Sequence, residues 1–151
     1  MEPTSEAHVL VVAHKTAGTP ALLEAVRERA ERGPARFHLL VPSSPQPNWH
    51  VVHRERHQKV TPAEEVLMLA LPLLEEAAGG EVGGSLSIRE DPMAAIEEAL
   101  NELRFDEIIL STLPRSVSRW LHMDLPRRVA HLGLPVTTVI APERAPADAT
   151  L

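Results

Sequence analysis

The chain has no cysteine among its 151 residues, which excludes a disulfide framework, a thiolate metal site and a cysteine nucleophile. It also has no apolar run near the roughly 20 residues that a bilayer-spanning helix requires, so no membrane is expected as a partner. Excess positive charge is missing as well: 21 acidic residues against 15 Lys and Arg leave a formal net charge of −6. A general nucleic-acid surface needs a basic footprint, so no nucleic acid is expected, although local basic clusters remain. The first residues, MEPTSEAH, are acidic and polar and do not read as a secretory leader. The cytoplasm is the expected compartment.

What is present is ordinary for a globular chain: 44% hydrophobic and 24% charged residues. The length suits one domain that buries its own core. That domain is expected over residues 1–142, with an Ala/Pro-rich tail, 143–151, expected to be disordered.

Short β-branched apolar runs alternate with helical patterns along the chain. Residues 8–13 (HVLVVA) form the first run, of the kind expected for a buried parallel strand. Thr19 and Pro20 supply an N-cap and a first-turn proline for a helix with Leu23, Val26 and Ala30 on one face, stopped by Gly33. Residues 36–41 are the second strand. A polar, proline-rich stretch without a period then covers 42–60.

Thr61 and Glu64 have capping-box spacing and open a second helix with Val66, Leu69, Leu73 and Ala77 expected inward. Pro72 is expected to kink it or remove one hydrogen bond, and Gly79-Gly80 ends it. Residues 82–89 read as a third strand. Asp91-Pro92 starts a third helix whose inward face is Ile96, Ala99, Leu100 and Leu103. Residues 106–112 form a fourth strand, Asp124 is expected to cap a fourth helix ended by Gly133, and 135–141 form a fifth strand. Such alternation predicts an α/β fold, a parallel sheet with helices on both faces. Ligands in such sheets bind beyond the carboxyl ends of the strands, at the topological switch point.

The loop after the fourth strand, 111–126 (STLPRSVSRWLHMDLP), occupies such a position yet contains no glycine. Its place, the order of elements and the length resemble the universal stress protein family over about residues 7–141. The phrases VVAHKTAGTPALLEAVRERA and DEIILSTLPRSVSRWLHMDLPRRV are similar to a divergent subgroup of that family with its own SRWL-x-x-DLP signature. The resemblance implies a five-stranded parallel sheet of order 3-2-1-4-5, an adenine nucleotide alpha hydrolase-like fold. It also implies a ligand site, for ATP in many members, between the first and fourth strands. The family signature is G-x2-G-x9-G-[ST]. On this chain Ser111 falls on the first glycine, Pro114 on the second, and Asp124-Leu125 on the final pair, with the spacing kept and all four residues changed. His14 falls where the ATP binders carry an aspartate.

The candidate binding residues that follow are Ala13, His14 and Lys15 after the first strand, Val41 at the end of the second, and Ser111, Thr112, Pro114, Arg115, Ser118, Arg119, Asp124 and Leu125 around the loop. Pro114 has no N–H to offer a phosphate, and a capping Asp124 carboxylate would hold the helix end against one. Arg115 and Arg119, with Lys15, His14 and His122, form an alternative anion site, against a reading in which the arginines are solvated or paired with Asp124. Trp120 and Leu121 read as loop packing that fills the site, with a stacking lid as the functional alternative.

His50, His53 and His57 have a spacing that zinc or nickel accepts, but in a polar loop flanked by arginines they read as solvated surface, and no metal is expected. Carboxylate pairs such as Glu75-Glu76 and Glu97-Glu98 read as solvated helix faces. An enzyme is the least supported class. The sequence therefore points to a universal stress protein-like, non-catalytic regulatory or binding protein that does not hold ATP in the family's usual mode. The alternatives are a nucleotide (ATP or AMP) or other anion binder using the fourth-strand loop, and a weak nucleotide hydrolase. The resemblance further implies a homodimer through the last strand, whose apolar edge would otherwise stay open.

Overall fold

In the computed structural model the described residues are 6–43 and 61–142. The proline-rich stretch 44–60, with His50, His53 and His57, and the tail 143–151 lie outside them. The apolar runs form β1 (Ala7–Val12), β2 (Ala35–Val41), β3 (Val82–Leu86), β4 (Glu107–Thr112) and β5 (Val136–Ile140). They make one sheet of order β3-β2-β1-β4-β5 in which every pairing is parallel. β1 lies at the centre, with Val9 opposite Phe37 of β2 on one side and Glu107 of β4 on the other.

Successive side chains of a strand point to opposite faces, and here both faces are buried. Val9, Val11, Leu39 and Ile109 enter one core, which α1 (Pro20–Arg32) and α2 (Pro62–Ala78) cover with Leu22, Val26, Ala70 and Leu74. Leu10, Val12, Ile108 and Leu110 enter the other, covered by α3 (Pro92–Glu102), α4 (Arg119–His122) and α5 (Leu125–Ala130) through Ile96, Leu125 and Val129. No helix among the described residues is long and apolar enough to cross a membrane.

The sequence marks the helix starts well. Thr19 accepts the Leu22 N–H at the head of α1, and Asp91 accepts the Met93 N–H at the head of α3. Thr61 and Glu64 close a full capping box, with bonds of 2.8 and 3.1 Å. The inward faces are less well marked. α2 buries Ala63, Ala70, Leu74 and Ala77, whereas Leu69 and Leu73 are 67% and 42% exposed. The cause is the strand beneath: a Cβ at Gly84 would sit 2.7 Å from Leu67 Cδ1. Close approach there seats Leu67 and Leu71 over β3, turns Leu69 outward and leaves Leu73 at the margin, where its Cδ1 would lie 3.2 Å from a Cβ at Gly18. α2 runs through Pro72 on its exposed side.

Leu103, expected in the core, is exposed beyond the end of α3, where Met93 and Ala95 take the buried positions instead. β3 ends at Leu86 rather than at residue 89, because the Ser87 hydroxyl accepts the Arg89 N–H and turns the chain. The expected fourth helix is present as α5, and a further short helix, α4, precedes it within the loop.

At the end of the sheet away from the strands' carboxyl ends, Arg29 of α1 donates twice to Glu107 of β4, at 2.9 and 2.8 Å. Their side chains are only 12% and 27% exposed. The two guanidinium hydrogen bonds hold the Glu107 carboxyl below its usual range, against the opposing effect of burial. A carboxylate with a lowered folded-state pKa stabilises the fold above its unfolded pKa, and that contribution is lost as pH falls through the folded value. Arg29→Ala should therefore cost about 1.5–3 kcal/mol at pH 7, the scale of charged hydrogen bonds. In urea unfolding the difference from wild type should shrink as pH falls below the ordinary carboxylate range.

Candidate functional site

All five strands are parallel, so the loops that follow them gather at one end of the sheet. The loop after β1 folds tightly on itself: the Ala17 N–H donates to the His14 carbonyl, and the Thr19 N–H to that of Thr16. Beyond β4, the Val117 N–H closes a turn onto the Pro114 carbonyl, and the Ser118 hydroxyl caps α4 by accepting the Leu121 N–H at 3.1 Å. The Thr16 and Ser111 hydroxyls, both buried, hydrogen bond at 2.6 Å and join the two loops. Ser43 donates its N–H to the Arg89 carbonyl, which fastens the end of β2 to the loop after β3.

These loops enclose a cavity of about 460 Å³ beyond the carboxyl ends of β1 and β4, within the range of small-ligand sites. Of the residues expected from the sequence, the cavity wall contains His14, Lys15, Ser111, Thr112, Ser118 and Arg119. The others lie off it. Ala13, Val41 and Leu125 are core residues with no exposure, whereas Pro114, Arg115, Asp124 and also His122 lie outside the lining. Trp120 does not fill the space. It packs against the second core with Met123, and both also face the cavity.

Glu90 and Asp91 from the β3–α3 loop, Pro92 at the head of α3, and Thr16, Ser43, Leu113 and Val117 also line the wall, and sequence reasoning did not place them there. The one available signal was topological: in an all-parallel sheet, the loop after β3 must reach the same end as those after β1 and β4. Asp91-Pro92 was legible only as a helix start.

The wall combines two cations, Lys15 and Arg119, with two carboxylates, Glu90 and Asp91. Asp91 Oδ1 is engaged by the Met93 N–H. His14 is the exception to the general satisfaction of buried polar groups, because neither ring nitrogen has a hydrogen-bond partner among the described residues. Burial first, and the neighbouring Lys15 ammonium second, lower its pKa. It is therefore a neutral imidazole at pH 7, with one donor and one acceptor to offer. Each buried group left unpaired costs roughly 1–3 kcal/mol, which a partner in the cavity would offset. Among the described residues no cluster of His, Asp and Glu is placed to hold a metal ion.

Asp124 departs from expectation in an informative way. It stands at the N-cap position of α5, but its carboxylate makes no capping bond. Its backbone is left-handed, φ 57° and ψ 36°, whereas a capping side chain needs an extended N-cap residue to reach the N2 and N3 amides. The carboxylate instead meets Arg127 at 3.4 Å in solvent, rather than Arg115 or Arg119. The position that aligns with the third signature glycine thus keeps a conformation that glycine favours, and Asp is among the few residues that tolerate it. Asp124→Gly should leave stability within about 1 kcal/mol, because the relief of strain and the added unfolded-chain freedom nearly cancel. Asp124→Val should cost about 1–2 kcal/mol or more, since a β-branched residue resists the left-handed region. Urea midpoints of the two variants check both values.

No family model matches the chain, and no curated protein matches it in sequence. Solved structures do match. A protein of the universal stress protein family from Burkholderia pseudomallei superposes with a TM-score of 0.58 at 20% identity, covering 92% of this chain and 100% of its own. A universal stress protein in complex with cAMP gives 0.60 at 17% identity, covering 92% and 100%. A universal stress protein family protein from Arabidopsis thaliana with AMP bound gives 0.56 at 16% identity, covering 91% and 93%. At these identities the likeness is one of architecture: the chain has the universal stress protein fold.

Proposed function

We propose that this chain is a divergent universal stress protein-like binding protein, regulatory rather than catalytic. Its cavity between β1 and β4 takes a ligand of mononucleotide size, and it does not hold ATP through a glycine-loop phosphate cradle. The observation that carries this reading is the open cavity of about 460 Å³ with the unpartnered His14 in its wall. It lies at the switch point where α/β sheets bind ligands. Structural neighbours that hold AMP or cAMP support a nucleotide as the occupant. A non-catalytic role is favoured by the state of the site's hydroxyls: Ser111 is bonded to Thr16, and Ser118 is used as a helix cap.

Thermal unfolding of the full chain with AMP, cAMP and ATP tests this reading. A ligand at one hundred times its Kd stabilises by about 2.7 kcal/mol, or roughly 5–10 °C for a chain of this size. Millimolar AMP or cAMP should raise Tm on that scale and ATP by less. No rise with any of the three would remove the reading, and a larger rise with ATP would restore the usual family mode.

The proposal includes a homodimer through β5. Among the described residues this strand pairs only with β4, and Val136, Val139 and Ile140 on it are half-buried in the single chain. An open apolar edge is commonly covered by a further strand. A sedimentation coefficient of a monomer at micromolar concentration would sink the dimer and leave the binding site untouched.

A further inference from the structure

We infer that the cavity recognises the nucleoside half of its ligand and gives the phosphate no dedicated contacts, so that an uncharged nucleoside of the adenosine type binds as well as its monophosphate. This rests on the nucleotide-sized site proposed above and narrows the class of ligand it takes.

The residues at the positions that align with the signature glycines do not form a phosphate cradle. The Ser111 hydroxyl is tied to Thr16 at 2.6 Å, and both residues are buried. Pro114 has no N–H to donate and lies off the cavity wall. Asp124 is outside the cavity, with its carboxylate held by Arg127. The two cations that remain, Lys15 and Arg119, share the wall with Glu90 and Asp91. Two positive and two negative groups leave the lining formally neutral. A phosphate entering it meets an attraction and a repulsion of similar size, and each added phosphate brings more charge near the two carboxylates.

The features that suit a nucleoside are all present. Trp120, packed against the second core, gives an aromatic surface on the cavity, and any nucleobase has a face to stack on it. Glu90 and the free oxygen of Asp91 are acceptors only, which suits them to the two hydroxyls of a ribose. His14, with both ring nitrogens unpartnered, can accept from one group and donate to another, as a base edge requires. Carboxylates that repel phosphate and accept hydroxyl donors account for both halves of the preference with the same two residues.

Calorimetric titration of the full chain with adenosine, 2′-deoxyadenosine, AMP and ATP tests this. Adenosine and AMP should bind within about threefold of one another, and ATP at least tenfold more weakly. Deoxyadenosine should be weaker than adenosine by about tenfold or more, the scale of one lost hydrogen bond to a charged acceptor. Glu90→Gln, which keeps size and removes charge, should narrow the gap between ATP and adenosine severalfold. AMP binding tenfold or more tightly than adenosine would overturn the inference while leaving the proposed nucleotide site standing. Failure of adenosine and AMP alike to bind would overturn both.

Discussion

Replacing Trp120 by alanine should lower the affinity for adenosine and AMP by roughly one to two orders of magnitude, the most damaging single change expected at the site. Stacking of a base on an aromatic side chain is worth about 1–3 kcal/mol by alanine substitution, which is about 5- to 150-fold in Kd. The indole lies on the cavity wall and is held from behind by the second core, so it is already positioned before a ligand arrives and loses little freedom on binding. The same packing means that the alanine variant also loses some fold stability. Trp120→Phe separates the two effects, because it keeps an aromatic face and should retain most of the affinity. Titration of both variants, well below their unfolding temperatures, checks the expectation. Unchanged affinity in Trp120→Ala would show that the ring is packing alone.

For stability, the largest loss is expected from Leu110→Ala. Leu110 has no exposure, lies in β4 opposite Val12 of β1 and Thr138 of β5, and belongs to the core under α3 and α5. Its neighbours come from several elements and cannot all close over the missing atoms. The cost should fall in the range of about 2–5 kcal/mol found for buried leucines, against a total stability of about 5–15 kcal/mol for a typical domain. Ser111 and Thr112 follow directly on the strand, so the same variant should also loosen the cavity floor. Urea unfolding should show a lower midpoint with an unchanged slope. A loss below 1 kcal/mol would mean that the core around β4 is far less tightly packed than it is here.

Much of the architecture was legible because it depends on local chemistry. The runs at 9–13, 39–41 and 108–110 are apolar at consecutive positions, as strands buried on both faces must be, and Thr19, Thr61 and Asp91 each act as the caps their residue types imply. α2 was harder because leucines surround most of it. The choice of buried face was made by Gly84 on a neighbouring strand, which no helical periodicity records.

Asp124 was misread for a related reason. Residue type suggests a cap, but capping also depends on a backbone dihedral that the sequence does not state. At the site, the β1 and β4 loops were legible from the strand–helix alternation, which puts them at the switch point of a parallel sheet. The carboxylates of Glu90 and Asp91 were not, because they reach the cavity only through the parallel topology of β3.

The most direct test of the central claim, an open ligand site between β1 and β4 walled by His14 and Trp120, is nuclear magnetic resonance of the labelled chain during titration with AMP. The Trp120 indole N–H and the His14 ring signals should both move in a saturable way, with one midpoint for the two, while His131 at the far end of α5 stays still. Saturable shifts confined to other surfaces, or no shift of Trp120 and His14 at millimolar AMP, would contradict it.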